Sequence, residues 1–194
     1  MSIPVREQMT SWPALDQHAK RERLLTAAAA VFALDGLDAS MPAVAAAAGA
    51  GVASVYRQFD SKLDLLAALV VRRLEQVAAA AEEAATAEGS RWSALTELLS
   101  EIVEQQSCDE FFGEAMHKVE AYPTVREAST RTYAALEQLL TAARDEGRLR
   151  PDASILDLRL LFAATRAARH LAPDLQGRML ELAIDGLDTA PRSR

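Results

Sequence analysis

Between Ser40 and Lys62 the chain has room for two short helices and one tight turn. Ser40 is a favoured helix cap, and Pro42 suits a first helical turn, where its missing N–H leaves no bond unmade. Ala43-Val44-Ala45-Ala46-Ala47-Ala48 then forms helix readily, and Gly49 stops it. Only Ala50 and Gly51 separate that stop from Val52-Ala53-Ser54-Val55-Tyr56-Arg57-Gln58-Phe59, a second short helix ended by Asp60-Ser61. Ala45 and Ala48 are small enough for two helices to cross closely, with Val44, Val55 and Phe59 as the apolar seam behind them. The opposite face offers Gly51, Val52, Ala53, Ser54, Tyr56, Arg57 and Gln58, small and hydrogen-bonding groups without the apolar cover of a core helix. Buttressed by a longer helix, such a pair can present its second member to a DNA major groove roughly 12 Å wide, as a helix-turn-helix does. An ordinary helical corner has the same periodicity.

The remaining chain also reads as helix. Its 194 residues include only 8 Gly and 7 Pro, with aromatics at 5%, a mix that disfavours strands and predicts an all-α protein of about nine helices. Residues 1–15 lack a helical period and are expected to form a flexible arm. From an Asp16 cap, Leu24, Ala28, Val31 and Phe32 follow one helical face as far as Asp35-Gly36. Ser61-Lys62-Leu63-Asp64 is a capping-box pattern, and Leu63, Leu66, Val70, Leu74 and Val77 continue one face to about Ala85. At ~1.5 Å per residue that helix is ~36 Å long and can couple two regions. Trp92, Leu95, Leu99 and Ile102 define a helix from a Ser90 cap; Phe111, Phe112, Ala115, Met116 and Val119 suggest a shorter one before Pro123. Pro123 opens a helix that runs to Glu146 and stops at Gly147, Ser154 caps one to about His170, and Pro173 or Asp174 starts the last, ending near Gly186.

The net charge of −7 opposes nucleic-acid binding only on average. Residues 1–74 hold 8 Lys/Arg and 7 Asp/Glu, whereas residues 75–194 hold 13 and 21, so the acid lies in the C-terminal part. No stretch approaches the ~18 apolar residues that span a bilayer, and Met1-Ser2-Ile3-Pro4-Val5-Arg6 lacks the apolar run of a secretory signal, so a cytoplasmic protein without membrane contact is expected. Cys108 is the sole cysteine and offers no disulfide or paired ligand spacing. There is no Gly-rich phosphate loop, Gly-x-Ser-x-Gly elbow or His-Glu-x-x-His pair, and His18, His117 and His170 are the only histidines. Neither catalysis nor a metal or other cofactor is expected. A helical ligand-binding or scaffold protein without DNA binding is the rival reading, which gives no reason for a hydroxyl-rich, accessible helix next to Lys62.

Ala48-Gly49-Ala50-Gly51-Val52-Ala53-Ser54-Val55-Tyr56-Arg57-Gln58-Phe59-Asp60-Ser61-Lys62 closely resembles the TetR family of transcriptional regulators, within a likeness that runs from Leu24 to Leu66. The departure is Ala50, where the family usually has Val. Farther on, Gly147-Arg148-Leu149-Arg150-Pro151-Asp152 and Leu182-Ala183-Ile184-Asp185-Gly186-Leu187 look like those of a TetR subgroup. The resemblance implies a DNA-binding domain over 16–65, with the helix-turn-helix at 40–59, and an effector-binding and dimerisation domain over 66–194. It makes Tyr56 and Lys62 phosphate contacts and places Ser40 near the DNA backbone, positioning roles that carry no sequence information. Val52 and Ser54 are then candidates for thymine methyls and base edges, Arg57 for phosphate or guanine, with Gly51 and Ala53 allowing close approach. Pro42 stands where many relatives offer a polar side chain. Lys20, Arg21 and Arg23 are either further phosphate contacts or simply solvated. Asp60 and Asp64 weaken the local positive field, which predicts few strong contacts and steep salt sensitivity.

A reader of this kind implies a homodimer on a double-stranded, pseudo-palindromic operator, because two recognition helices read two half-sites. The last helix carries two apolar stripes, Leu175, Met179 and Leu182 against Leu180, Ile184 and Leu187. The preceding helix offers Ile155, Leu158 and Phe162 beside Leu156 and Leu160. Leu158, Phe162, Leu175, Met179 and Leu182 are the interface candidates; burial of both stripes inside one subunit is the alternative. Most aromatics outside the reader fall between Trp92 and Tyr133, a region that in TetR-like proteins encloses a small-molecule effector. The candidates are Trp92, Leu95 and Leu99, then Phe111, Phe112, Met116, His117, Tyr122 and Tyr133, a lining suited to an apolar or amphipathic ligand, with plain core packing as the alternative for each. The implied mechanism is repression relieved when ligand shifts the long helix and the spacing of the two readers.

Overall fold

The computed structural model describes residues 11–189 other than Asp109; the side chains of 106–110 lie outside the description, as does the expected arm over residues 1–10. The described residues form α1 (Gln17–Asp35), α2 (Met41–Ala48), α3 (Val52–Tyr56), α4 (Lys62–Thr86), α5 (Arg91–Cys108), α6 (Glu110–Val119), α7 (Pro123–Asp145), α8 (Ile155–Leu171) and α9 (Leu175–Leu187). Their architecture is all-α.

Local chemistry sets the boundaries. Asp16 accepts the Ala19 N–H at 2.8 Å, Ser40 that of Ala43 at 3.3 Å, and Ser61 that of Asp64 at 3.2 Å, each satisfying an orphan donor of a first turn. Ser154 and Asp157 form a reciprocal capping box. Two expectations need correcting. Trp12–Ala14, inside the expected arm, is a 3-10 turn, and Trp12 packs on the hydrophobic core, which offsets the entropy of ordering it. The reading helix ends at Tyr56 instead of Phe59, because Phe59 must turn inward to be buried and Asp60 and Ser61 follow as the entry to α4.

Two hydrophobic cores lie along the long helix α4. The first joins Leu24, Ala28 and Phe32 of α1, Val44 and Ala48 of α2, and Val55 to Leu65, Leu66, Leu69, Val70 and Leu74 of α4. It also recruits α6 through Phe111, Ala115 and Val119, with Phe111 tilted against Phe32 at 5.7 Å between ring centroids. The second core takes over at Val77, Ala78 and Ala81 and gathers α5, α7, α8 and α9. Leu63, expected on the buried face of the long helix, is exposed, whereas Leu65, about 200° around the helix from it, is fully buried.

The α7–α8 connection is tied down at both ends. Arg148 makes a two-pronged ion pair with Asp188 (3.2 and 2.7 Å), and the Arg150 N–H donates to the Leu187 carbonyl, so the connection is pinned to the end of α9. At the other end the Glu146 carboxylate caps α5 by accepting the Trp92 N–H at 2.9 Å. The Ser90 hydroxyl, and then that N–H, hold Glu146 below the ordinary carboxylate range. Its ionised form is the one these bonds favour, so the stability they add is fully present above the ordinary carboxylate pKa and is lost as the pH falls through the lowered one. Glu146→Gln is expected to lower Tm at pH 7, and thermal melts of the two proteins are expected to converge as the pH is taken below the range of a free glutamate, about 4.3.

Candidate nucleic-acid interface and ligand cavity

The turn between α2 and α3 is built on Gly49, whose left-handed φ of 66° and ψ of 33° turn the next peptide back toward the end of α2. A Cβ there would lie 3.2 Å from the Arg23 guanidinium, which would have to give by a few tenths of an ångström. Ala50 donates to the Ala45 carbonyl at 2.9 Å, closing the turn; the small side chain that departs from the family pattern still packs on the first core.

Val44, Val55 and Phe59 are buried behind the pair. Ser40, Pro42, Gly51, Val52, Ala53, Tyr56 and Arg57 are exposed, and Ser54 and Lys62 half-buried. Tyr56 is 48% exposed although its neighbour Val55 is fully buried, so α3 passes from core to surface within a single residue. All nine residues that the sequence nominates for this interface are thus at least partly exposed. Ser40 also caps α2, and the Arg57 Nε donates to the Ala53 carbonyl at 3.1 Å, which holds its guanidinium against its own helix.

The cations near the start of α1 include one with structural work that periodicity does not reveal. Arg21 stacks over the Phe59 ring at 4.5 Å and donates to the Gln58 carbonyl at 3.4 Å, and Gln58 donates to the Gln17 side chain at 2.7 Å. Lys62 lies 5.8 Å from the centre of the Phe32 ring, on the seam between α4 and α1. These contacts clamp the end of α3 to α1 and fix its orientation.

A second feature lies in the other half of the molecule. A cavity of about 710 Å³ opens between α4, α5, α6, α7 and α8, within the size range of small-molecule sites. Of the pocket residues expected from sequence, Phe112, Met116, His117 and Tyr133 line it. The other five do not: Trp92, Leu95 and Leu99 are buried in the second core, while Phe111 is buried and Tyr122 partly buried in the first. Their aromatic and apolar character serves packing, because α5 and α6 turn those faces toward neighbouring helices and away from the void. Sequence reasoning missed Leu74, Val77, Ile102, Thr132 and Leu136 in the lining, together with Arg73, Arg159, Arg166 and Arg169. On α8 a signal is present: Ile155, Arg159, Phe162 and Arg166 fall on one face at helical spacing. The His117 side chain is 84% exposed, 3.9 Å from Glu120, and among the described residues no group of three or more metal-ligating side chains assembles.

The α8 and α9 stripes also resolve. Leu158 is fully buried in its own subunit and Phe162 is half-buried against the same core, so neither presents the outward surface expected of it. The exposed large apolar residues of α8 are Leu156, Leu160 and Leu171, the last 82% exposed, and the first two also line the cavity. On α9, Leu180 and Leu187 face the core, whereas Leu175 and Leu182 are exposed and Met179 half-buried.

Comparison with known proteins decides the family. The pattern of bacterial regulatory proteins of the tetR family matches residues 24–69, and that of the C-terminal domain of SbtR-like transcriptional regulators matches residues 92–189. The chain belongs to the TetR family. The HTH-type transcriptional repressor KstR of Mycolicibacterium smegmatis is 32% identical over 101 residues, 52% of this chain and 50% of that protein. The chain thus spans about half the length of the curated relative it matches. A TetR transcriptional regulator from Streptomyces coelicolor has a similar structure, with a TM-score of 0.68 at 26% identity over 88% of this chain and 99% of that one. SmeT, the repressor of the Stenotrophomonas maltophilia multidrug efflux pump SmeDEF, has a TM-score of 0.59 at 27% identity over 86% and 87%. Among the described residues of this TetR-family chain, no helix is long and apolar enough to cross a membrane. Gly49→Ala in this TetR-family chain forces a left-handed alanine and crowds Arg23; urea unfolding is expected to show a loss of about 1–2 kcal/mol.

Proposed function

We propose that this chain is a homodimeric transcriptional repressor that binds a pseudo-palindromic operator and leaves it when a small effector enters the cavity. The observation that carries the reading is the exposed α3 face, bounded by Tyr56 and Lys62 and backed by buried Val55 and Phe59, on a helix-turn-helix joined directly to α4. Tyr56 and Lys62 hold phosphates, Ser40 lies at the backbone, and Val52 and Ser54 meet base edges; Gly51 and Ala53 let the helix approach. Pro42 and Arg57 flank that surface.

The exposed residues Leu156, Leu160 and Leu171 on α8 and Leu175 and Leu182 on α9 join a second copy in a four-helix bundle about a two-fold axis. Arg73, Leu74 and Val77 line the cavity from α4, the helix whose first turn begins at Lys62. Effector bound against them moves α4 and the reader on it, and half-site spacing is lost; this requires a ligand with different affinity for the two conformers. A precedent for a bound small molecule is SmeT, which has been solved as a triclosan complex and is 25% identical over 87% of this chain with a TM-score of 0.60.

Fluorescence anisotropy of the full chain on DNA from its own upstream region tests the reading. Wild type is expected to bind tightly and weaken with salt. Lys62→Ala is expected to weaken binding across sequences and to lower the slope of log K against log salt by about 1, the signature of one lost phosphate contact. Tyr56→Phe is expected to weaken binding without changing that slope. Equal, weak binding by all three proteins there and on random DNA overturns the assignment. Leu160→Glu with Leu182→Glu is expected to give a folded monomer by sedimentation, since neither side chain belongs to the subunit's core.

A further inference from the structure

We infer that the cavity selects an amphipathic organic anion: an apolar body lies against Leu74, Val77 and Leu136, and a carboxylate- or sulfonate-like head lies between Arg159 and Arg166. The inference rests on the reading of this cavity as an effector site and adds the charge of the ligand. The cavity's charge runs against that of the chain around it. Residues 75–194 are strongly acidic, yet the cavity is lined by Arg73, Arg159, Arg166, Arg169, His117 and His170 against the single carboxylate of Glu120. Composition alone predicts the reverse.

The four guanidinium groups are not equivalent. Arg73 and Arg169 already have partners within the chain. Arg159 is held 5.7 Å from the centre of the Tyr133 ring, an interaction that leaves its N–H donors directed elsewhere. Arg166 lies against Gly113 of α6, and neither Arg159 nor Arg166 has a carboxylate partner among the described residues. They are about two turns apart on α8 and so project from the same face beside the apolar lining. A guanidinium fork matches a planar or trigonal oxyanion with two parallel bonds, so these two groups recognise an anion better than a neutral polar head.

Gly113 supplies an independent reason to assign Arg166 to the cavity. A glycine inside a helix disfavours that helix, so its presence in α6 asks for a packing reason. A Cβ on Gly113 would overlap the Arg166 guanidinium, and both residues line the void. The bare backbone therefore lets Arg166 lie across α6 at the cavity. Because the clash falls on the far end of a flexible side chain, an alanine here displaces the guanidinium without disturbing the fold.

The test uses two fluorescent probes with one aromatic body, 1-anilinonaphthalene-8-sulfonate, which is anionic, and N-phenyl-1-naphthylamine, which is neutral. Both are titrated into the chain of 194 residues and into Arg166→Gln, Arg166→Lys and Gly113→Ala. The sulfonate is expected to bind wild type roughly ten-fold more tightly than the neutral probe, a preference largely lost in Arg166→Gln and partly kept in Arg166→Lys. Gly113→Ala is expected to weaken the sulfonate more than the neutral probe while raising Tm, an opposition that a merely destabilised protein does not show. Equal affinities for both probes, unaltered by the variants, overturn the anionic assignment and leave an apolar effector site standing. Binding of neither probe overturns both the anionic assignment and the effector site, while DNA binding, read separately by anisotropy, remains a distinct result.

Discussion

The pairing of α4 with α7 is the contact on which both halves of the molecule depend. Among the described residues the two helices make the most extensive interface, and each contributes to both hydrophobic cores, Leu74 and Ala128 to the first, Val77 and Ala135 to the second. At the seam the buried Thr132 hydroxyl lies 2.9 Å from the Leu74 carbonyl and 2.8 Å from that of Ala128. A buried hydroxyl has one proton to share between them, so the seam is held by a polar contact that packing around it must protect from water. Thr132 also lines the cavity. Whatever occupies that space touches the junction where the reader's core gives way to the core of the other half.

The reader is locked from the other side by its cations. Arg21 on Phe59, Lys62 on Phe32, and Arg72 of α4, which donates to the Leu25 carbonyl at 3.2 Å and pairs with Glu22 at 3.7 Å, all join elements of the reader to one another. The two arginines donate to backbone carbonyls and help hold α3 and α4 against α1, whereas Lys62 only faces a ring. The physical trade is between rigidity and reach: a guanidinium stacked on a ring orients the helix well and has fewer donors left for phosphate.

Helices are legible in this sequence because their ends carry chemistry. Asp16, Ser40, Ser61 and Ser154 cap where their side chains can reach a first-turn N–H, and Gly49 and Gly147 have the positive φ that stops a helix. The reading surface is legible for a related reason, since Val55 and Phe59 must be buried and leave Tyr56 and Arg57 no place but outside. The cavity is not. Periodicity identifies which residues share a face, and it is silent on whether that face meets another helix or a void. Trp92, Leu95 and Phe111 are as apolar as Phe112 and Met116, and only the tertiary arrangement of α5 and α6 separates the two sets. On α8 the ambiguity is sharper: Leu158 and Leu160 lie about 200° apart around a helix, so an apolar run there fills two opposite faces, and either could meet the core. Arg159 and Arg166 mark a third.

Charge ties these features together. A chain whose C-terminal part is strongly acidic presents that part poorly to a polyanion, whereas residues 1–74 are slightly basic. Repulsion of the one and attraction of the other orient the molecule before any base is touched, so the low positive charge of the reader is less of a handicap than the overall −7 suggests. The same acidity sharpens the meaning of the cavity. In an acidic helical bundle, cations on a helix face ordinarily find carboxylates at i+3 or i+4, as Lys118 finds Glu114 at 3.2 Å and Arg178 finds Glu181 at 3.1 Å. Around Arg159 the corresponding positions hold Ile155 and Leu156 on one side and Phe162 and Ala163 on the other. Around Arg166 they hold Phe162 and Ala163, then Arg169 and His170. Along the face of α8 that lines the void, the helix thus offers Arg159 and Arg166 no carboxylate of its own, and their positive charge is available to whatever the cavity receives.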